Sequence, residues 1–262
     1  MKFDLKPIAA GAVFALASSA HALVITQGNL SCCSLNLSPL EGIGLSFSAD
    51  MLASFDMAKV SITGSGASSI AAPKDTDGYY VGVSVSTPIT SATFDDATSA
   101  LLQMTSTGGA TYVMPAIKSV TSGGSLTVTD LSVDLASHHI YANIVGANGL
   151  GTLTHLQLLN FADVSVSGAT GAIAQPCIGA LDGFCSVPRI SLSGLSWTVE
   201  GFNAFTKGLG LAYLNRSYLD ITQDVGTLTT TSLPEPSSYA LMGLGLVGIL
   251  AAQRRRHPIA AQ

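Results

Sequence analysis

Apolar and polar residues alternate along much of the chain between Thr26 and Thr231, and a period of two marks a half-buried β-strand. In "SLTVTDLSVDL", Leu126 and Val128 alternate with threonines, whereas Leu131, Val133 and Leu135 keep the period on a shifted phase. That one-residue slip predicts a bulge or kink near Asp130. "HIYANIVG" follows with Ile140, Ala142 and Ile144 in register, so "ASHH" reads as a hairpin connection. "YYVGVSVST", "DVSVSG" and "RISLSGLSWTV" add further strands, and Gly, Ser, Asn and Pro punctuate them at short intervals. The reading is an all-β, sandwich-like domain, with Gly168 to Pro188 as an insertion between strands.

Two stretches leave that pattern. "LSFSADMLASFDMAK" (Leu45–Lys59) and "LSWTVEGFNAFTKGL" (Leu195–Leu209) align without a gap, Leu45, Ser46 and Phe55 matching Leu195, Ser196 and Phe205. Phe47 faces Trp197, Ser48 faces Thr198, and Asp50 faces Glu200. Each places a hydroxyl able to cap a helix after a strand end, with an acid in the first turn. Leu52 and Phe55, or Phe202, Phe205 and Leu209, then recur at helical spacing. Two short helices follow, with an internal repeat as an open alternative to chance likeness.

The ends carry a different grammar. "MKFDLKPIAAGAVFALASSAHA" has Lys2 and Lys6, an apolar run from Ile8 to Ala17, then Ala20-His21-Ala22. That order is a secretory signal peptide over residues 1–22, cut after Ala22. Near the other end stand Pro234-Glu235-Pro236, an apolar run from Tyr239 to Ala252, and Arg254-Arg255-Arg256. Fourteen helical residues span about 21 Å, short of a hydrocarbon core of about 30 Å. Snorkelling arginines stretch the fit, which favours a transient membrane stop over a permanent anchor. Gly243, Gly245 and Gly248 spell G-x-G-x-x-G, but neither a strand before nor a βαβ unit around them supports a dinucleotide site.

Apolar residues make up 47% of the 262 and charged residues 10%, partly because of these two ends. Residues 23–233 hold six Lys and Arg against fourteen Asp and Glu, a net charge of −8. No basic cluster lies outside the tail, so a nucleic-acid partner is not expected. Four cysteines, Cys32, Cys33, Cys177 and Cys185, would meet oxidising conditions after export, where disulfides are the default. Three connectivities are open. Cys177–Cys185 is favoured, because the short loop "CIGALDGFC" can close on itself, while the spacing matches no zinc ligand pair.

The tail resembles the PEP-CTERM sorting signal of Gram-negative bacteria that make exopolysaccharide, on Pro234, Glu235, Pro236, the apolar run and Arg254, Arg255 and Arg256. The resemblance implies an exosortase as processing partner, an inner-membrane intermediate, and release to the cell surface or extracellular matrix, with extracellular polysaccharide as a further partner. The β-rich middle resembles the HtaA domain of bacterial haem-uptake proteins, in "LSFSADMLASFDMAKVSITGSGAS", "GGSLTVTDLSVDLASHHIYANI", "WTVEGFNAF" and "DVGTLTT". That family's haem site implies a tyrosine in the first helix, where this chain has Phe55, Asp56 and Met57. Without an axial donor, haem ligation has no obvious source; Tyr141, His138 and His139 are the local substitutes.

Candidate chemistry is sparse. Residues 23–233 retain His138, His139 and His155, with no G-x-S-x-G elbow and no H-E-x-x-H. "KDTDGYY" opens like a calcium loop but lacks the later ligands of an EF-hand, and reads as a turn feeding a strand. The expectation is a non-enzymatic exported protein without cofactor or metal. It comprises a signal peptide (1–22), a β-rich domain (23–233) and a sorting signal (234–257) with its membrane segment at 239–252. An HtaA-like haem-binding module and a secreted hydrolase are the alternatives.

Overall fold

The computed structural model describes residues 22–27, 36–37, 41–95, 98, 100–118, 121–167, 184–185, 189–211 and 224–232. The signal-peptide residue Ala20, Cys32, Cys33, Cys177, Pro234, Glu235, Pro236 and the Arg254–Arg256 run lie outside them, as does the apolar run at 239–252. Of the favoured disulfide, only Cys185 falls within them. No helix of the described residues is long and apolar enough to cross a membrane.

Among the described residues the order begins with β1 (Ala22–Thr26), β2 (Asn36–Leu37) and β3 (Glu41–Phe47), which runs into α1 (Ala49–Met57). Next come β4 (Ser61–Ser65), β5 (Ser69–Ala71), β6 (Ser84–Asp95), β7 (Leu101–Ser106) and β8 (Gly109–Met114). Three successive antiparallel strands follow, β9 (Gly124–Asp134), β10 (His139–Gly146) and β11 (Gly151–Asn160), and then β12 (Asp163–Ser167) and β13 (Phe184–Cys185). β14 (Arg189–Ser193), β15 (Ser196–Trp197), α2 (Val199–Gly208) and β16 (Gly226–Ser232) complete the order.

These strands make one large, curled and mostly antiparallel sheet, with the path β12-β14-β16-β3-β6-β7-β9-β10-β11-β15. The path returns on itself. β12 follows β11 and β15 follows β14 with two residues between each pair, and Ala162 N donates to Ser193 O at 3.1 Å where the two ribbons meet. β6 turns the corner between the two halves: residues 84–88 pair with β3, and residues 89–94 pair with β7. Pro88 stands at that corner, where a residue without an N–H is tolerated. Inward residues of β3, β6 and β16 then face those of β8 to β11, giving the sandwich-like core expected from the alternation. Ile43, Ile89, Leu126, Ile140, Ile144 and Leu228 are all within 1% of full burial.

The phase slip at Asp130 is real. Tyr141 pairs with Ser132 but Asn143 pairs with Thr129, so β9 carries one extra residue. Asp130 occupies it at φ 55°, a conformation Asp tolerates better than most side chains. Its carboxylate accepts from Gly108 N at 3.2 Å and Asn143 Nδ2 at 3.1 Å, which holds the bulge. The "ASHH" connection is a hairpin turn, with Asp134 Oδ1 accepting from Ala136 N and Ser137 N. "KDTDGYY" is likewise a turn, with the Asp75 carboxylate turned to the amides of Asp77 and Tyr79. One boundary shifts: the "YYVGVSVST" strand begins at Ser84, because Tyr79 and Val81 are exposed on an irregular approach.

Candidate functional site

Both helices form as the capping residues dictate. Ser48 Oγ accepts from Met51 N at 3.2 Å, and Thr198 Oγ1 accepts from Gly201 N at 2.9 Å. The two caps are tied to the sheet in the same way. Ser48 N donates to Val225 O and Thr198 N donates to Leu158 O, while their hydroxyls donate to the preceding carbonyls, Asp224 O and Gln157 O. The alignment of the two stretches therefore corresponds to a repeated local construction, whatever its origin.

That repetition brings equivalent rings together. Phe47 packs edge-on against Phe55 at 5.2 Å between centroids, and Trp197 packs against Phe205 at 4.9 Å. Tyr112 of β8 lies between the pairs, 5.8 Å from Phe55 and 5.9 Å from Phe205. Such contacts add about 0.5–1.5 kcal/mol each beyond area burial. Burial pushes the Tyr112 phenol well above its usual range, since the phenolate would lose its hydration.

Beyond the rings, α1 and α2 border an apolar cleft of about 250 Å³. Met51, Phe55 and Ala58 line one side, Phe202, Phe205 and Leu209 the other, with Met114 and Trp197 between them. The described walls carry no charged side chain and no histidine, tyrosine or cysteine. The helical spacing identified Phe55, Phe202, Phe205 and Leu209. It also marked Leu52, which is half-buried against the core, and passed over Met51, the buried partner of Phe55.

The histidines sit elsewhere. His139 and Tyr141 alternate along β10 with the buried Ile140 and Ala142, which sets them on the opposite face of the sheet. Tyr141 stacks on His155 at 4.3 Å, and its hydroxyl lies 3.4 Å from His139 Nδ1. His138 instead stacks on Phe161 at 4.9 Å. Tyr141 and His139 thus meet, but His138 does not join them. Neighbouring strands of that region pair hydroxyl and amide groups, as in Gln103 Nε2 to Ser132 Oγ at 2.9 Å and Thr111 to Thr127 at 2.9 Å. No group of three metal-ligating side chains occurs among the described residues.

The two ends of the domain are strands. Ala22 of the expected cleavage site begins β1 and pairs with Asp95, and Ile25 of the same strand is buried. At the other end β16 runs between β14 and β3 and stays paired to its last residue, Ser232 opposite Glu41. Comparison with protein-family models matches residues 232–256 to the PEP-CTERM protein-sorting motif. The motif therefore starts on the last residue of β16. It implies export with membrane-transit sorting and processing by an exosortase. No curated protein and no solved structure matches the chain.

Proposed function

We propose that this chain is a non-enzymatic protein of the cell surface or extracellular matrix. It leaves a Gram-negative cell behind an N-terminal signal, and an exosortase releases it by cutting the C-terminal tail. The observation that carries this reading is the junction at Ser232, where the last residue of β16, still paired with Glu41, is the first residue of the sorting motif. Cleavage near Pro234–Pro236 then removes the apolar run and arginines while leaving every rung of β16 intact.

The physical order of the tail supports the same route. Three arginines beyond an apolar run stay on the cytoplasmic side, so Pro234 and Pro236 emerge on the outer side. Proline disfavours helix for the residue before it, which keeps the segment accessible to a processing enzyme. A run of about 21 Å is a weak anchor, suited to an intermediate that is later released. The non-enzymatic reading draws support from the sorting signals at both ends and from a sequence without a G-x-S-x-G elbow or an H-E-x-x-H motif. Extracellular polysaccharide is the partner this location favours, and the half-buried hydroxyls around Tyr141 and His155 are the groups that would face it.

Replacing Pro234-Glu235-Pro236 by three alanines tests the route in the native host. Full-length protein retained in the membrane fraction is the expected result. Unchanged release of a shortened product would overturn the proposal.

A further inference from the structure

The chemistry of the cleft between α1 and α2 narrows what can occupy it. Its volume of about 250 Å³ exceeds the roughly 150 Å³ of a dry apolar cavity that admits benzene. Interiors are otherwise packed like organic crystals, so an opening of this size between two helices is a feature rather than slack. Both walls are held in place without help from an occupant, because Ser48 and Thr198 pin each helix start to a neighbouring strand.

The two wall hydroxyls donate within their own helices. Ser54 Oγ donates to Asp50 O at 2.8 Å, and Thr206 Oγ1 donates to Phe202 O at 2.9 Å. Each hydroxyl gives its proton to its own helix, so neither donates to a ligand, and the remaining wall side chains are apolar apart from the Trp197 indole N–H. A charge carried into such walls would lose its hydration without a partner. Met51, Met57 and Met114 contribute flexible, polarisable side chains that adapt to an irregular apolar guest. Met57 is 77% exposed and marks the mouth, where a polar head can remain in water.

The geometry points to a binding site for the hydrocarbon chain of a single-chain amphiphile, taken up tail first with its head at Met57. A protein sorted through a membrane meets acyl chains on its way, which supplies the source. Recognition is by the chain, so a neutral and an anionic head bind with similar affinity.

Trp197 is the one tryptophan of the chain and lines the cleft, so its emission reports occupancy. The released protein is titrated with octanol, decanol, dodecanol and dodecanoate, below the concentration at which each aggregates. We expect a saturable blue shift at one molecule per chain, tightening about fourfold per added methylene. Ser54→Leu and Ala58→Leu, which fill the cleft from α1, are expected to weaken dodecanol at least tenfold while circular dichroism stays unchanged. An absent shift, an affinity indifferent to chain length, or equal binding by both filled and folded variants would overturn the proposal. Should neither variant fold, the chain-length series on the unaltered protein decides.

Discussion

Gly201 sets two local effects against each other. It lies in the first turn of α2, where alanine would be favoured over glycine by about 1 kcal/mol on helix propensity. Yet a Cβ built there falls 2.2 Å from Leu158 O and 3.0 Å from the adjacent Leu158 carbon atoms. Ordinary contact begins near 3.4 Å, so helix and strand must separate by about 1 Å. The same carbonyl accepts the Thr198 amide at 3.1 Å, and the Thr198 hydroxyl caps the helix at Gly201 N. Separation costs about 1–3 kcal/mol for overpacking, and about 1 kcal/mol for each hydrogen bond stretched beyond use. Packing wins, and Gly201→Ala destabilises by about 2 kcal/mol. Urea denaturation followed by circular dichroism measures it, with a thermal midpoint lower by about 4–8 °C for a domain of this size. Gly82→Ala is the control, since nothing lies within 4 Å of its Cβ and its φ is not positive; it gains about 0.4–1 kcal/mol through the unfolded chain. If Gly201→Ala matched or exceeded the parent protein, the close approach of α2 to β11 would be wrong.

Ser106 is 4% exposed and its hydroxyl has no hydrogen-bond partner, so Ser106→Ala removes an unpaid desolvation cost. A gain of about 1 kcal/mol in urea is expected, and a loss of that size would show that the hydroxyl has a partner. Tyr112 gives a pH signature, because its phenol is held above its usual value by burial. The unfolded chain ionises near pH 10 while the folded one keeps its proton. Stability from this group is therefore complete below pH 10 and falls by about 1.4 kcal/mol per unit as pH rises toward the folded value. Tyr112→Phe removes that contribution, so the parent and variant curves should diverge above pH 10; parallel curves would contradict the burial.

Much of the fold was legible because its strands obey their period. β9 and β10 alternate cleanly, and the bulge at Asp130 shows as a phase slip that one residue can explain. β11 did not read, for a physical reason. Its pairing with β10 shifts twice and His155 adopts φ 51°, so the alternation breaks at each irregularity. β16 was masked by its threonines. Thr230 points into the core, 6% exposed, and is tolerated there because its hydroxyl accepts from Ile190 N at 2.8 Å. The helices were legible from Ser48, Thr198 and their first-turn acids. The cleft between them was not, since its walls come from chain segments separated by about 150 residues, and periodicity reports that Phe55 and Phe205 turn toward the core without saying that they face each other. The sorting tail needed no fold to be read, because the order of proline, apolar run and arginine is local.

Export of the β domain followed by release at its sorting motif is checked by intact mass spectrometry of the extracellular protein from its native host. The expected product begins at Leu23 and ends within or next to Pro234–Pro236, with all of β1 beyond Ala22 and all of β16 retained. An extracellular product that still carries "GLGLVGILAAQRRR" would contradict it.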